Sequence, residues 1–289
     1  MKKFFSKINK NTTADNDSAD FSFVHISDFH YKNSYEGMHS EKLSANTGLT
    51  LTEQFVLGIR EIIKDSGRID FFILSGDLCQ NGTANEYECF KKILDEEMKG
   101  IPYYLSLGNH DNDNFWNGFL GKPEKTGSYY YSINHEGLRI ISLDSRGGAY
   151  ESGFLEQEQL SWLKNELSIP AEKGSILLLH HTPHVSGEIE YLIYQTENPS
   201  ELYEVVENSD IKGIFCGHTH KYFASTLGSI PCYTAESLCF GIDTYEDKMI
   251  ISNYTGYNYC SVTNGTLNVN QKVIVPDKIQ KVTIMYTEF

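Results

Sequence analysis

In the stretch Leu105-Ser106-Leu107-Gly108-Asn109-His110-Asp111, an apolar run ends in glycine and is followed by an amide, an imidazole and a carboxylate. A buried strand has this pattern when it delivers polar groups to its C-terminal tip, the end where open α/β sheets place their ligands. Alone, the tip fits an Asn-rich turn equally well, because Asn and Asp hydrogen-bond their own backbone. Four other apolar runs end in the same chemistry. Phe21 to Ile26 leads to Asp28 and His30, Asp70 to Ser75 leads to Asp77, Ile176 to Leu179 leads to His180, and Ile211 to Cys216 leads to His218 and His220. Four of the five tips carry Gly or Ser just before the first polar residue. Small residues there let the backbone turn sharply and let a ligand come close. An Asp-x-His or His-x-His pair at a strand end also puts both side chains on one side, since side chains alternate along a strand.

Between these runs lie helix signals. Thr50 with Glu53 and Thr83 with Glu86 form capping boxes, opening helices to about Lys64 and Lys99. A helix spans roughly Leu155 to Leu167, and Asn198 followed by Pro199 starts another. Tyr129 to Ile133 and Leu138 to Leu143 read as a hairpin turning at Glu136-Gly137, and the Ser, Asn and Tyr-rich residues 31–49 read as a loop. Beyond about Thr226 the helices stop and short alternating segments follow, a sign of antiparallel β structure. The pattern predicts an α/β fold: a four-layer αββα sandwich of two mixed β-sheets flanked by helices, with a β-rich C-terminal segment. Residues 1–20 read as a mobile tail, 21–245 as the main domain, and 246–289 as a β segment packed on that domain or completing its second sheet.

With 289 residues, 40% apolar and 22% charged, the chain can bury a sizeable core. A formal charge of −15 argues against a nucleic-acid polymer or an anionic membrane as partner. A small phosphorylated substrate remains compatible if local cations offset that field. The oligomeric state is not legible. Cys79, Cys89, Cys216, Cys232, Cys239 and Cys260 form no CxxC pair and sit in or beside apolar runs, so buried free thiols in a reducing compartment are expected. Met1-Lys2-Lys3-Phe4-Phe5 starts like a secretory signal, but Ser6, Lys7, Asn9 and Lys10 interrupt it, and no run approaches the roughly 18 apolar residues of a membrane span. A cytoplasmic protein is expected.

Asp28, His30, Asp77, Asn109, His180, His218 and His220 offer nitrogen and oxygen ligands with no thiolate. They are too many for one tetrahedral zinc and suit two first-row divalent ions, Mn, Fe or Zn, with one carboxylate bridging. Asp28-Phe29-His30, Gly76-Asp77, Gly108-Asn109-His110-Asp111, the His180 tip and Gly217-His218-Thr219-His220 resemble the signature set of the calcineurin-like metallophosphoesterases over residues 21–240. Gly76-Asp77-Leu78 followed by Asn81-Gly82-Thr83 and Glu86-Tyr87 also resembles the branch containing class III cyclic-nucleotide phosphodiesterases. The resemblance implies that Asp28, His30 and His220 hold one metal and Asn109, His180 and His218 the other, with Asp77 bridging. It further implies that His110 sits over the substrate phosphate and that Asp111 orients it. His181, adjacent to His180, is the alternative at that tip.

Such a pair of cations, about 3.5–4 Å apart, can hold a bridging hydroxide that attacks phosphorus in line. His110 is then the general acid for the departing alkoxide, worth on the order of 10²–10⁴-fold. The expected activity is hydrolysis of a small phosphodiester, a cyclic nucleotide or similar. The alternatives are a phosphomonoesterase or protein phosphatase and, from another class, a non-catalytic binding scaffold. Asn109, His110 and His39 are candidate substrate contacts. Asn33, Tyr35 and Asn46 in the same loop as His39, and His184, could line the mouth, and Tyr245, Tyr254, Tyr257 and Tyr259 could stack a base. His25 and His135 read as structural, and Cys79 as a small buried filler.

Overall fold

The computed structural model describes residues 19–36, 38–149, 151–183, 195–245 and 247–285. In chain order these residues form β1 (Phe21–Ile26), α1 (His39–Thr47), α2 (Leu51–Asp65), β2 (Phe71–Ser75), α3 (Ala84–Glu97), β3 (Tyr103–Ser106), α4 (Asn114–Gly118), β4 (Tyr131–His135) and β5 (Leu138–Ser142). There follow α5 (Gln157–Glu166), β6 (Ser175–Leu178), α6 (Pro199–Val206), β7 (Ile211–Cys216), β8 (Ala224–Leu227) and β9 (Ile230–Thr234). The chain closes with β10 (Gly241–Tyr245), β11 (Lys248–Ser252), β12 (Thr255–Thr263), β13 (Thr266–Ile274) and β14 (Lys281–Met285).

Two large mixed sheets form, in the orders β13-β12-β1-β2-β3 and β4-β5-β6-β7-β9-β8. In each sheet the strands that bear a polar tip are parallel neighbours, so their C-terminal ends lie at the same edge. Every residue of β1 and β2 is buried, because these strands are covered on both faces. Phe21, Phe23, Phe71 and Ile73 meet Ile140, Ile176, Leu178 and Phe215 of the other sheet in the central layer. On the outer face Val24, Ile26 and Leu74 pack on Phe55 and Ile59 of α2 and Phe90 of α3. Leu160 and Leu163 of α5 and Leu202 and Val206 of α6 cover the second sheet. The four layers are those the periodicity predicts. Glu136 (φ 50°) and Gly137 (φ 95°) both take left-handed conformations, which a two-residue turn between β4 and β5 requires.

The C-terminal strands divide between two places, and Ile251, Val282 and Ile284 pack into the main core. β12 pairs antiparallel with β1, so this segment completes the first sheet rather than the second, and β10, β11 and β14 form a separate three-stranded sheet. The boundary expected at residue 245 falls inside the β10–β11 hairpin. Of the expected tail, residues 1–18 lie outside the described residues, while Ala19 is buried and the Asp20 amide donates to Val262 O at 2.8 Å. The loop expected over residues 31–49 contains α1, whose end Gly48 closes in the left-handed conformation with φ 71°. Its apolar content, chiefly Leu43, is too sparse to show a helical period. Both capping boxes are present, at Thr50 and Thr83. Asn198 stands at the N-cap of α6 but makes no cap bond; its amide instead bonds both backbone groups of Leu155. All six cysteines are free thiols; five are buried and Cys89 is half-buried. No helix among the described residues is long and apolar enough to cross a membrane.

Candidate metal centre

The tips of β1, β2 and β3 from one sheet meet those of β6 and β7 from the other. The backbone at this junction is unusual. Asp28 (φ 56°), His30 (φ 46°), Asp77 (φ 50°), His218 (φ 72°) and His220 (φ 53°) all occupy the left-handed region. For side-chain-bearing residues that conformation costs on the order of 1 kcal/mol or more each, and it persists where surrounding contacts enforce it. Here the loops lock one another. The amides of Phe29 and His30 both donate to Asp77 O at 2.9 Å, and Gly217 N donates to His180 O at 2.9 Å. The His218 amide donates to both carboxylate oxygens of Asp28 at 3.1 Å, tying the sheets together. Glycine is required where the loops touch. A Cβ on Gly108 would lie 2.2 Å from Asp77 Oδ1, and one on Gly217 would lie 1.9 Å from Ser27 Oγ.

The imidazoles and carboxylates converge. His30 Nε2 is 3.5 Å from Asp77 Oδ2 and 2.9 Å from His220 Nε2. His180 Nε2 is 3.3 Å from Asp77 Oδ2 and 3.9 Å from Asp28 Oδ1, and His220 Nε2 is 3.6 Å from Asp28 Oδ1. The ligand atoms of Asp28, His30 and His220 lie within 4.8 Å of one another, as do those of Asp28, Asp77 and His180, and those of His180, His181 and His218. His181 is therefore brought to the same cluster as His180. The two differ in their second nitrogen: His180 Nδ1 donates to the Ser75 carbonyl at 2.6 Å, whereas His181 Nδ1 faces Ser145 Oγ at 2.8 Å. A backbone carbonyl behind the ring is the usual way a ligating histidine is held. His220 is held likewise by Phe240 O at 2.8 Å.

One residue that the sequence reading did not single out organises the site. Gln80 Oε1 accepts from His30 Nδ1 at 2.5 Å, and Gln80 Nε2 donates to His110 Nδ1 at 3.0 Å. Ligation through His30 Nε2 needs the ring proton on Nδ1, which fixes which end of the Gln80 amide faces His30. The other end then donates to His110, so the neutral His110 ring carries its proton on Nε2. Asp111 has a different task from the one expected. Its carboxylate accepts from the amides of Leu78, Cys79 and Gly108 and from Tyr87 OH at 2.9–3.1 Å, welding the β2 loop to the β3 loop. It is fully engaged there, and the side chain oriented against His110 is Gln80. Asn109 Nδ2 donates to Glu151 Oε2 at 2.5 Å, while its buried Oδ1 has no hydrogen-bond partner among the described residues.

The electrostatics of the cluster differ from ring to ring. Burial lowers His30 to about 4, against the opposing pull of Asp77, and holds His218 and His220 well below their ordinary value. These rings are neutral at physiological pH, the state a ligand needs. Burial would lower His180 too, but Asp77 and Asp28 raise it to about 9. Burial lifts the Asp28 carboxyl to about 7, with Asp77 adding to the rise. Burial would raise Asp77 as well, yet the surrounding rings of His180, His110 and His30 keep it well below the carboxylate range. Two desolvated carboxylates among imidazoles form a donor set that divalent cations fit.

The weaker candidates separate. Tyr257 and Tyr259 are buried, bonded to Ser66 Oγ and Arg68 O. Tyr245 is exposed beneath Lys248, and Tyr254 lines a cavity beside His220. Tyr35 bonds Thr52 Oγ1, Asn33 bonds Glu86, and Asn46 is exposed on α1. His25 is structural, clamped between Ser75 Oγ and Asn258 Nδ2, and His135 bonds Tyr104. Burial pushes the Cys79 thiol up, in keeping with a filler. His184 and the side chain of His39 lie outside the described residues.

The family model for calcineurin-like phosphoesterases matches residues 21–222. A probable cyclic nucleotide phosphodiesterase of Rhodococcus erythropolis is 30% identical over 223 residues, covering 76% of this chain and 71% of the relative. A glycerophosphodiester phosphodiesterase of Enterobacter lignolyticus is 27% identical over 220 residues, covering 72% of this chain and 76% of the relative. A dimetal phosphatase from Danio rerio shares the fold, with a TM-score of 0.55 at 14% identity, covering 93% of this chain and 99% of the other. With its strand-tip histidines and carboxylates gathered at one edge of the sandwich, the chain belongs to the calcineurin-like phosphoesterase family, a family of metal-dependent hydrolases.

Proposed function

We propose that this protein hydrolyses a small phosphodiester, a cyclic nucleotide or a glycerophosphodiester, at a centre for two divalent ions. Asp28, His30 and His220 would hold one ion, and Asn109, His180 and His218 the other, with Asp77 between them. The observation that carries the reading is the convergence of Asp28, His30, Asp77, His180, His218 and His220 from two sheets, with left-handed backbone at five of these six positions. Relatives named for cyclic nucleotides and for glycerophosphodiesters support the diester. Bound ions of this kind supply Lewis acidity toward phosphoryl oxygens and lower the pKa of water.

The chain's own residues do the rest. His110 stands over the centre, its ring centroid 5.0 Å from that of His30, and its amide donates to Asp77 Oδ1 at 3.0 Å. Gln80 donates to Nδ1 of His110, so the ring's N–H is on Nε2, where it would donate a hydrogen bond to the charge building on the departing oxygen. The four donors on Asp111 fix the loop from which His110 projects. The test is a panel of aryl mono- and diesters, 3′,5′-cyclic AMP and glycerophosphoethanolamine with Mn²⁺, on wild type and on Asn109→Ala and His110→Ala. Diester turnover that falls at least a hundredfold in both variants is expected, on the order of what such groups contribute. Equal turnover by the variants, or a preference for monoesters, overturns the reading.

A further inference from the structure

The connection between β5 and α5 reaches across to the tip of β3. Glu151, in the turn at its far end, is exposed, and its Oε2 accepts from Asn109 Nδ2 at 2.5 Å. That carboxylate has no other hydrogen-bond partner among the described residues. The turn that carries it is nonetheless fastened on both sides. Ser152 N donates to Ala149 O at 3.1 Å, Phe154 N to Ser145 O at 3.0 Å, and Gly153 N to Gln195 O at 3.0 Å. Glu197 Oε1 accepts from the Ala149 amide at 2.6 Å and from Ser152 Oγ at 2.5 Å. Gly148 lets the two arms close, since a Cβ there would lie 2.2 Å from Ser152 O. An exposed acid on a loose turn would sweep through solvent, whereas this one is preset against an amide.

Asn109 stands beside Asp77, because its neighbours touch that carboxylate from both sides. A Cβ on Gly108 would lie 2.2 Å from Asp77 Oδ1, and the His110 amide donates to the same oxygen at 3.0 Å. A cation takes an amide through its oxygen, yet an Asn side chain can present either end. A carboxylate only accepts, so Glu151 selects Nδ2 as the end it holds and leaves Oδ1, which is buried with no hydrogen-bond partner among the described residues. Charge points the same way. In the two-ion reading Asp28 serves one ion and Asp77 serves both, while Asn109, His180 and His218 bring no charge to the other. Glu151 is one hydrogen bond away and polarises the amide toward its oxygen, as a carboxylate does behind a ligating histidine. Resting on that reading, we propose that Glu151 is a positioning residue for the ion assigned to Asn109, His180 and His218. It sets the Asn109 amide with its oxygen free for that ion and supplies negative charge at one remove.

The experiment is a titration of Mn²⁺ into metal-free protein. Stoichiometry and stepwise Kd are read by calorimetry, and the spin-coupled pair by electron paramagnetic resonance. Wild type should take up two ions per chain. Glu151→Ala should bind one ion within about threefold of wild type and the other about 10–100-fold more weakly, the loss usual when the partner behind a ligand is removed. Glu151→Gln keeps an acceptor without the charge and should fall between. Because Glu151 acts through Asn109, adding Glu151→Ala to Asn109→Ala should weaken the second ion no further. Metal-free Glu151→Ala should melt with wild type, since the side chain is exposed. A second-ion Kd within about twofold of wild type in Glu151→Ala overturns the role. So does a loss shared equally by both ions, a loss that adds in full to that of Asn109→Ala, or a Glu151→Gln no better than Glu151→Ala. Wild type that takes up a single ion overturns the two-ion reading and this role with it, whereas two ions with an unmoved second Kd overturn this role alone.

Discussion

Gln80 makes a sharp prediction because one amide serves two imidazoles. In Gln80→Leu the His30 Nδ1–H loses its acceptor at 2.5 Å, and His110 loses its donor at 3.0 Å. An unsatisfied buried donor costs about 1–3 kcal/mol. Removing the partner behind a ligating histidine typically lowers metal affinity about 10–100-fold, which is the same energy seen from the ion's side. Gln80→Glu separates the two jobs: it keeps an acceptor for His30 but presents no donor to His110. Manganese affinity, read by competition with a metallochromic chelator, should therefore fall at least tenfold in Gln80→Leu and stay within about threefold of wild type in Gln80→Glu. Turnover of an aryl phosphodiester at saturating manganese should fall in both, since both free the His110 ring. Unchanged manganese affinity in Gln80→Leu would refute the account of how His30 is held. Unchanged turnover in Gln80→Glu would refute the account of His110.

Asp111→Asn turns an acceptor of four donors into a group that must point an N–H₂ at some of them, so it should cost about 2–4 kcal/mol in urea unfolding; less than about 0.5 kcal/mol would show the loops are held some other way. Gly217→Ala places a Cβ 1.9 Å from Ser27 Oγ and 2.8 Å from Asp28 Oδ2, so it should cost about 1–3 kcal/mol and weaken manganese binding, with Ser27→Ala relieving part of the strain; full affinity in Gly217→Ala would contradict the packing. Burial lifts Glu236 from 4.5 to about 7, with Lys221 and the Gln271 amide opposing the rise and Asp243 adding to it. A carboxyl raised in the folded state stabilises the protein fully below its unfolded pKa and loses that contribution as pH rises through the folded value. Stability should therefore fall by about 2–3 kcal/mol between pH 4.5 and 7, and Glu236→Gln should flatten that part of the Tm profile; an identical profile would remove the effect.

The polar strand tips were legible because a sheet buried on both faces writes a continuous apolar run, and a polar cluster that ends the run stands out. The four layers were legible for a related reason: α2 and α3 carry capping boxes and one apolar face, and β1 and β2 carry none of the alternation of a half-exposed strand. Gln80 left no such mark. It is one amide in a polar loop, and its meaning comes from lying between rings 50 residues before it and 30 residues after it in sequence. The orienting role that the resemblance implied for Asp111 has no hydrogen bond to the His110 ring behind it among the described residues, because the backbone turn aims the carboxylate at the β2 loop. The partners of β12 were illegible for a similar reason. Alternation shows that a strand has two faces but not which sheet it joins, and β12 reaches β1 over more than two hundred intervening residues.

The division of the candidate ligands between the two sheets has a mechanical consequence. Asp28, His30, Asp77 and Asn109 stand on one sheet and His180, His218 and His220 on the other, so an ion gripped by both would act as a rivet through the sandwich, fastening segments as far apart in sequence as Asp28 and His218. Stripping it with a chelator would leave the aromatic filling between the sheets in place while the ligand-bearing rim loosens. Amide exchange should then quicken first at the loops after β1, β2 and β7, long before the strands themselves let go.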